Sequence, residues 1–114
     1  MPTPENRRST RIQRQYSAQV NVYDGKQLTH WEVVTVQNLS SGGMLFGYHK
    51  LLDGDTMLRA RIFFPPADKP IEVLGRVVRS KPSGVVYFTG ICFLEIAPEQ
   101  RELIDFFAAR WFPR

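Results

Sequence analysis

From Tyr16 to Phe93 the apolar positions mostly fall two apart, and beyond Pro98 they fall three and four apart. The first spacing belongs to strands with one face buried, the second to a helix lying on a core. Ala18, Val20 and Val22 share one phase, with Ser17, Gln19 and Asn21 in the other. Asp24-Gly25 ends that run with two residues that tolerate the positive φ of tight turns. Trp31 to Val36 is β-branched and predicts a second strand, Ser40-Ser41-Gly42-Gly43 breaks it, and Met44-Leu45-Phe46 predicts a short third. Turn signals occupy Gly47 to Asp55. Leu58, Ala60, Ile62 and Phe64 then alternate until Pro65-Pro66, where the missing amide hydrogens end the ladder. Ile71, Val73, Gly75 and Val77 form a fifth set, Ser83-Gly84 turns the chain, and Tyr87, Thr89, Ile91 and Phe93 form a sixth.

Six short strands in so short a chain predict a small antiparallel barrel, a closed arrangement that leaves no sheet edge exposed. The helix runs from Pro98 to Trp111. Proline suits its first turn, Glu99 and Glu102 sit near its positive end, and Leu103, Ile104, Phe107 and Trp111 line one stripe that Phe106 widens. Two readings of that stripe stand: a seal over one end of the barrel, or a dimer interface. Residues 1–14 are polar, proline-bearing and without periodicity, which predicts a flexible N-terminal arm ahead of a single domain spanning 15–114.

Charge changes the picture at the arm. The chain holds 15 Lys+Arg against 11 Asp+Glu, and Arg7, Arg8, Arg11 and Arg14 carry the whole excess. A surface built for a polymeric anion spreads its bases, whereas this cluster suits a compact anion held among a few guanidinium groups. Arginine bonds phosphate, or the O6/N7 edge of guanine, in bidentate fashion. Lone Cys92 supports neither a disulfide nor a metal site and is expected to be a buried apolar residue. His30 and His49 lack ligand-spaced partners, and no nucleophile–base set or carboxylate pair converges, so neither a metal nor an enzyme is expected. No apolar run is long enough to span a bilayer and the N-terminus lacks a signal-peptide core, which predicts a cytoplasmic protein.

Two segments then combine. Arg7-Arg8-Ser9-Thr10-Arg11 precedes the first strand, and Asn38-Leu39-Ser40-Ser41-Gly42-Gly43 follows the second. Together they resemble the RxxxR and (D/N)xSxxG motifs of the PilZ domain family, with Arg7 and Arg11 in the first and Asn38, Ser40 and Gly43 in the second. Gly75-Arg76-Val77-Val78 and Gly90-Ile91-Cys92-Phe93 are similar to the family's later strands. The resemblance implies a six-stranded barrel with a C-terminal helix, a stand-alone receptor for the bacterial second messenger cyclic di-GMP, with no cofactor beyond that ligand.

Residue chemistry agrees with that implication. Arg7 and Arg11 each suit a phosphate or a guanine edge, with Arg8 and Arg14 as added phosphate or stacking contacts. Asn38 and Ser40 complement the donor side of guanine, and Gly43 permits close backbone approach or positive φ. The expected behaviour is an arm that orders on the ligand and signals to a partner protein, in motility, adhesion or exopolysaccharide control. Two other readings remain: a small barrel that binds single-stranded nucleic acid by stacking, and a PilZ-like adaptor that binds only protein.

Overall fold

The computed structural model describes residues 16–23, 25–27, 29–64 and 69–112. Six strands, β1 (Tyr16–Val22), β2 (Glu32–Ser40), β3 (Gly43–Tyr48), β4 (Met57–Ile62), β5 (Ile71–Ser83) and β6 (Val86–Leu94), precede one helix, α1 (Pro98–Trp111). The strands close into an antiparallel barrel in the order β1-β2-β3-β6-β5-β4, with β1 and β4 completing the ring. Closure removes the sheet edges, and period-two alternation fills the interior with Ala18, Val20, Val22, Val34, Val36, Phe46, Leu58, Ala60, Ile62 and Val77.

Two strands depart from simple alternation. The register slips between Val36 and Asn38 in β2, and between Val77 and Arg79 in β5. An extra residue on one strand reverses the facing of everything beyond it. In β2, Val34 and Val36 are buried before the slip and Leu39 after it, while Gln37, Asn38 and Ser40 are exposed. In β5, Val77 is the last inward apolar residue. Val78 faces outward, as the alternation up to Val77 already requires, and beyond the slip Ser80 lies close to the buried Thr89 hydroxyl.

The strands also run longer than their apolar patterns. β2 continues through Asn38 to Ser40, and β3 takes in Gly43, Gly47 and Tyr48, so only Ser41-Gly42 remain as the turn. Asn21, in the polar phase of β1, is nevertheless buried, with its Oδ1 unpartnered. Cys92 is half-buried, contrary to the expectation of full burial: it lies between Ile91 and Phe93, whose inward facing turns Cys92 to the outer surface. The arginines at positions 7, 8, 11 and 14, and the arm expected over 1–14, lie outside the described residues.

α1 begins where expected. Pro98 occupies its first turn, Gln100 Oε1 accepts the Ala97 N–H at 3.3 Å, and Glu99 and Arg110 match the helix dipole at either end. Ile104 and Ala108 are buried, and Phe107 and Trp111 pack partly buried against the core. Leu103 and Phe106 are exposed, because they point away from the barrel and not along the buried stripe. The seal reading therefore holds for the inner face of α1.

Tyr16 is the anchor beneath that seal. Its ring lies 5.1 Å from Phe107, 5.5 Å from Trp111 and 6.0 Å from Phe112. Its hydroxyl donates to the Phe63 carbonyl at 2.6 Å and accepts the Phe63 N–H at 3.0 Å, tying the start of β1 to the end of β4. Burial pushes the phenol up to about 12, although its bond to the Phe63 backbone pulls the other way. Tyr16→Phe keeps the ring packing but strands both Phe63 backbone groups, so urea denaturation should show a loss of about 1–3 kcal/mol. The raised phenol stabilises the fold fully below pH 10, and that contribution disappears as the pH climbs from 10 toward 12. The alkaline decline in stability should therefore be shallower in Tyr16→Phe, and an identical slope in both proteins would remove the buried phenol from the account.

Candidate functional site

Of the residues singled out from the sequence, Asn38, Ser40 and Gly43 lie together where β2 meets β3. The slip in β2 creates this grouping. It pairs Asn38 with Leu45 and Ser40 with Gly43, and it turns both polar side chains outward while Leu39 enters the core. Asn38 Oδ1 accepts the Leu39 N–H at 3.0 Å, and Ser40 Oγ accepts the Gly42 N–H at 3.1 Å. Each oxygen keeps a second lone pair for another donor.

Gly43 has a structural reason of its own. A Cβ there would sit 2.0 Å from the Ile91 carbonyl oxygen, since β3 and β6 approach closely at the Gly43–Cys92 pair. Close approach, not positive φ, excludes a side chain: the described glycines with positive φ are Gly25 and Gly84. The neighbouring Gly42 carbonyl accepts the Phe93 N–H at 2.9 Å, so the β3 end of the turn is held to β6.

The helix supplies a partner that the motif does not contain. Asp105 Oδ1 accepts the Ser41 N–H and Oδ2 accepts the Ser41 hydroxyl, both at 2.8 Å. Nothing local in the sequence pairs positions 41 and 105. The sequence carries little signal, because a carboxylate at 105 within Leu103–Phe107 is also what the exposed face of an amphipathic helix carries. Between turn and helix lies an open cavity of about 380 Å³ lined by Asn38, Leu39, Ser40, Asp105, Ala108, Ala109 and Phe112. On the other flank of the same strand a second hollow of about 270 Å³ runs over Gly42, Gly43, Leu45 and Ile91. Asn38 and Ser40 border both.

Three of the arginines on the barrel strands are engaged away from this turn. Arg61 bonds Glu72 at 2.9 Å and lies 3.9 Å over the Trp31 ring, Arg59 approaches Glu72 at 3.9 Å, and Arg76 pairs with Asp55 at 3.0 Å. These exposed pairs contribute little stability but cancel the positive charge locally. A separate polar cluster at the opposite end joins Glu32 to the hydroxyl of Tyr48 and to His49 Nε2, the latter at 2.9 Å. Burial raises the Glu32 carboxyl, but its bonds to Tyr48 and His49, with the nearby His49 and Lys50 charges, outweigh that and hold it below the usual range. This cluster includes no motif residue.

A closed six-stranded barrel that presents a polar turn beside two hollows, with a helix as one wall, has the geometry of a small binding module. The PilZ domain model matches residues 5–110, nearly the whole chain, and the protein belongs to the PilZ domain family. That family is known as a cyclic di-GMP-binding module, a receptor class and not a catalytic one. No curated protein matches the chain. Among the described residues, no helix is long and apolar enough to cross a membrane.

The two glycines of the turn separate packing from recognition. Gly43→Ala drives a methyl into the Ile91 carbonyl and should cost about 3 kcal/mol or more in urea denaturation, at the upper end for overpacking. At Gly42 the nearest atom to an added Cβ is Ser40 Oγ at 3.6 Å, so Gly42→Ala should stay within about 0.5 kcal/mol of the native chain. Equal stability of the two variants would contradict the close β3–β6 approach.

Proposed function

We propose that this protein is a cyclic di-GMP receptor in which Arg7, Arg8 and Arg11 close on the ligand against Asn38, Ser40 and the Gly43 turn. The observation that carries this reading is the slip in β2. It turns Asn38 and Ser40 outward at the end of the barrel where β1 begins, and Tyr16 pairs with Val36 just before the slip. Arg11 lies five residues before Tyr16, so its backbone is tethered within about 18 Å of that pairing and Arg7 within about 32 Å, using the extended-chain limit. Both tethers reach the turn.

Chemistry supports the same partner. Cyclic di-GMP combines two phosphodiester anions with two guanines. Guanidinium groups suit the phosphates and the O6/N7 edges, while the remaining lone pairs of Asn38 and Ser40 suit the guanine donors. Micromolar affinity requires about 8 kcal/mol, within reach of two or three such contacts plus stacking on arginine. The ligand would order the arm against the barrel, and the altered surface would be what a partner protein in the cytoplasm reads. Single-stranded nucleic acid is the weaker reading, because the described arginines on β4 and β5 include three already paired with Glu72 and Asp55.

Calorimetry with cyclic di-GMP tests this. Arg7→Ala and Arg11→Ala should each lose on the order of 1.5–3 kcal/mol of binding, the range for hydrogen bonds to charged groups, with no change in melting. Asn38→Ala and Ser40→Ala should also weaken binding, with a small added cost to the turn, and Arg8→Ala and Arg14→Ala should be milder. Native affinity in both arm variants would take the arginines out of the mechanism. Amides from Arg7 to Gln15 should exchange more slowly once the ligand is added. A tight, salt-steep response to a short oligonucleotide, with no heat from cyclic di-GMP, would favour the nucleic-acid reading.

A further inference from the structure

The bonds around the turn come from three sources. Ser40 Oγ holds Gly42 from within the turn, Phe93 holds the Gly42 carbonyl from the end of β6, and Asp105 holds Ser41 from α1. The third is different in kind. Two oxygens of one carboxylate grip the amide and the hydroxyl of a single residue at 2.8 Å, across 64 positions of sequence. Charged acceptors make the stronger hydrogen bonds, and two bonds to one residue fix its orientation as well as its position. Ser41 lies directly between Ser40 and Gly42, so its orientation sets theirs. The same helix also walls the cavity that Asn38 and Ser40 border, through Asp105, Ala108 and Ala109, with Phe112 just beyond its end.

We propose that Asp105 is a positioning residue of this site, and that through it α1 senses whether the Asn38–Gly43 turn is occupied. The inference rests on the cyclic di-GMP reading above. Asp105 acts by holding Ser41, which engages both of its oxygens, and so presents Asn38 and Ser40 in one arrangement. Coupling of this kind is reciprocal. If the clamp strengthens ligand binding by some factor, the ligand strengthens the clamp by the same factor and so the docking of α1. The C-terminal helix is then part of the output, alongside the arm.

The test uses the full chain with Asp105→Ala and Asp105→Asn, calorimetry with cyclic di-GMP, and amide exchange with and without that ligand. Asp105→Ala should still melt cooperatively, since the carboxylate is exposed, yet bind about 5- to 30-fold more weakly, within the usual span of coupled sites. Asp105→Asn keeps an acceptor for the Ser41 N–H and should stay within about threefold of the native chain. Without ligand, the Ser41 and Gly42 amides should exchange faster in Asp105→Ala. With ligand, α1 amides should gain protection in the native chain and none in Asp105→Ala. Native affinity in Asp105→Ala, or ligand protection that still reaches α1 there, overturns the inference. A large loss in Asp105→Asn with Ser41 exchange unchanged overturns it too, because it points to direct contact with the ligand. A native chain that gives no heat with cyclic di-GMP sinks the ligand reading instead, whereas native binding beside an unaffected Asp105→Ala sinks this inference alone.

Discussion

One additional residue in β2 governs the working end of this barrel. A closed ring of six strands has a narrow interior filled mainly by apolar side chains, and period-two alternation would carry Asn38 and Ser40 into it behind Val34 and Val36. The slip after Val36 reverses the phase. Leu39 takes the buried position and the two polar residues emerge on the surface, where their hydrogen bonds to Leu39 and Gly42 shape the turn. Burying either side chain without partners would cost free energy that so small a core has little means to offset. The bulge therefore lets Leu39 complete the core while it leaves Asn38 and Ser40 at the surface.

The opposite side of that turn depends on backbone contact. β3 comes so close to β6 at Gly43 that no side chain fits, and the Gly42 carbonyl meets the Phe93 amide. The motif glycine is accordingly explained by packing before any ligand is considered. Asn38 and Ser40 have no such requirement. They are exposed, and a turn could be capped in other ways, so they are the members of the motif whose identity points toward recognition.

Tyr16 and α1 unite the remaining parts. The phenol locks the first residue of β1 to the backbone after β4, and its ring supports Phe107, Trp111 and Phe112. Tyr16 is thus one anchor for both the barrel's closing strands and the helix. Asp105 gives α1 a second attachment, on the turn itself. The start of β1, the turn and the helix meet at one end of the barrel.

Much of this was legible in the chain. Alternation over Tyr16–Val22, over Leu58–Phe64 and over Ile71–Val77 determined the strands and their inward faces, because one-sided burial imposes a period of two. Pro98 and the three-to-four spacing determined α1 at both ends, and the two paired motifs pointed to the family whose model covers residues 5–110. The tertiary structure decided what periodicity does not contain. Bulges are set by how strands pair across the ring, so the outward turn of Asn38 and Ser40 could not be read from β2 alone. Exposure on α1 depends on where the barrel lies, which left Leu103 and Phe106 outside while Ile104 and Ala108 went in. The Ser41–Asp105 clamp joins residues 64 apart, and only the docking of the helix on the barrel brings a lone carboxylate to an amide with which it shares no local pattern.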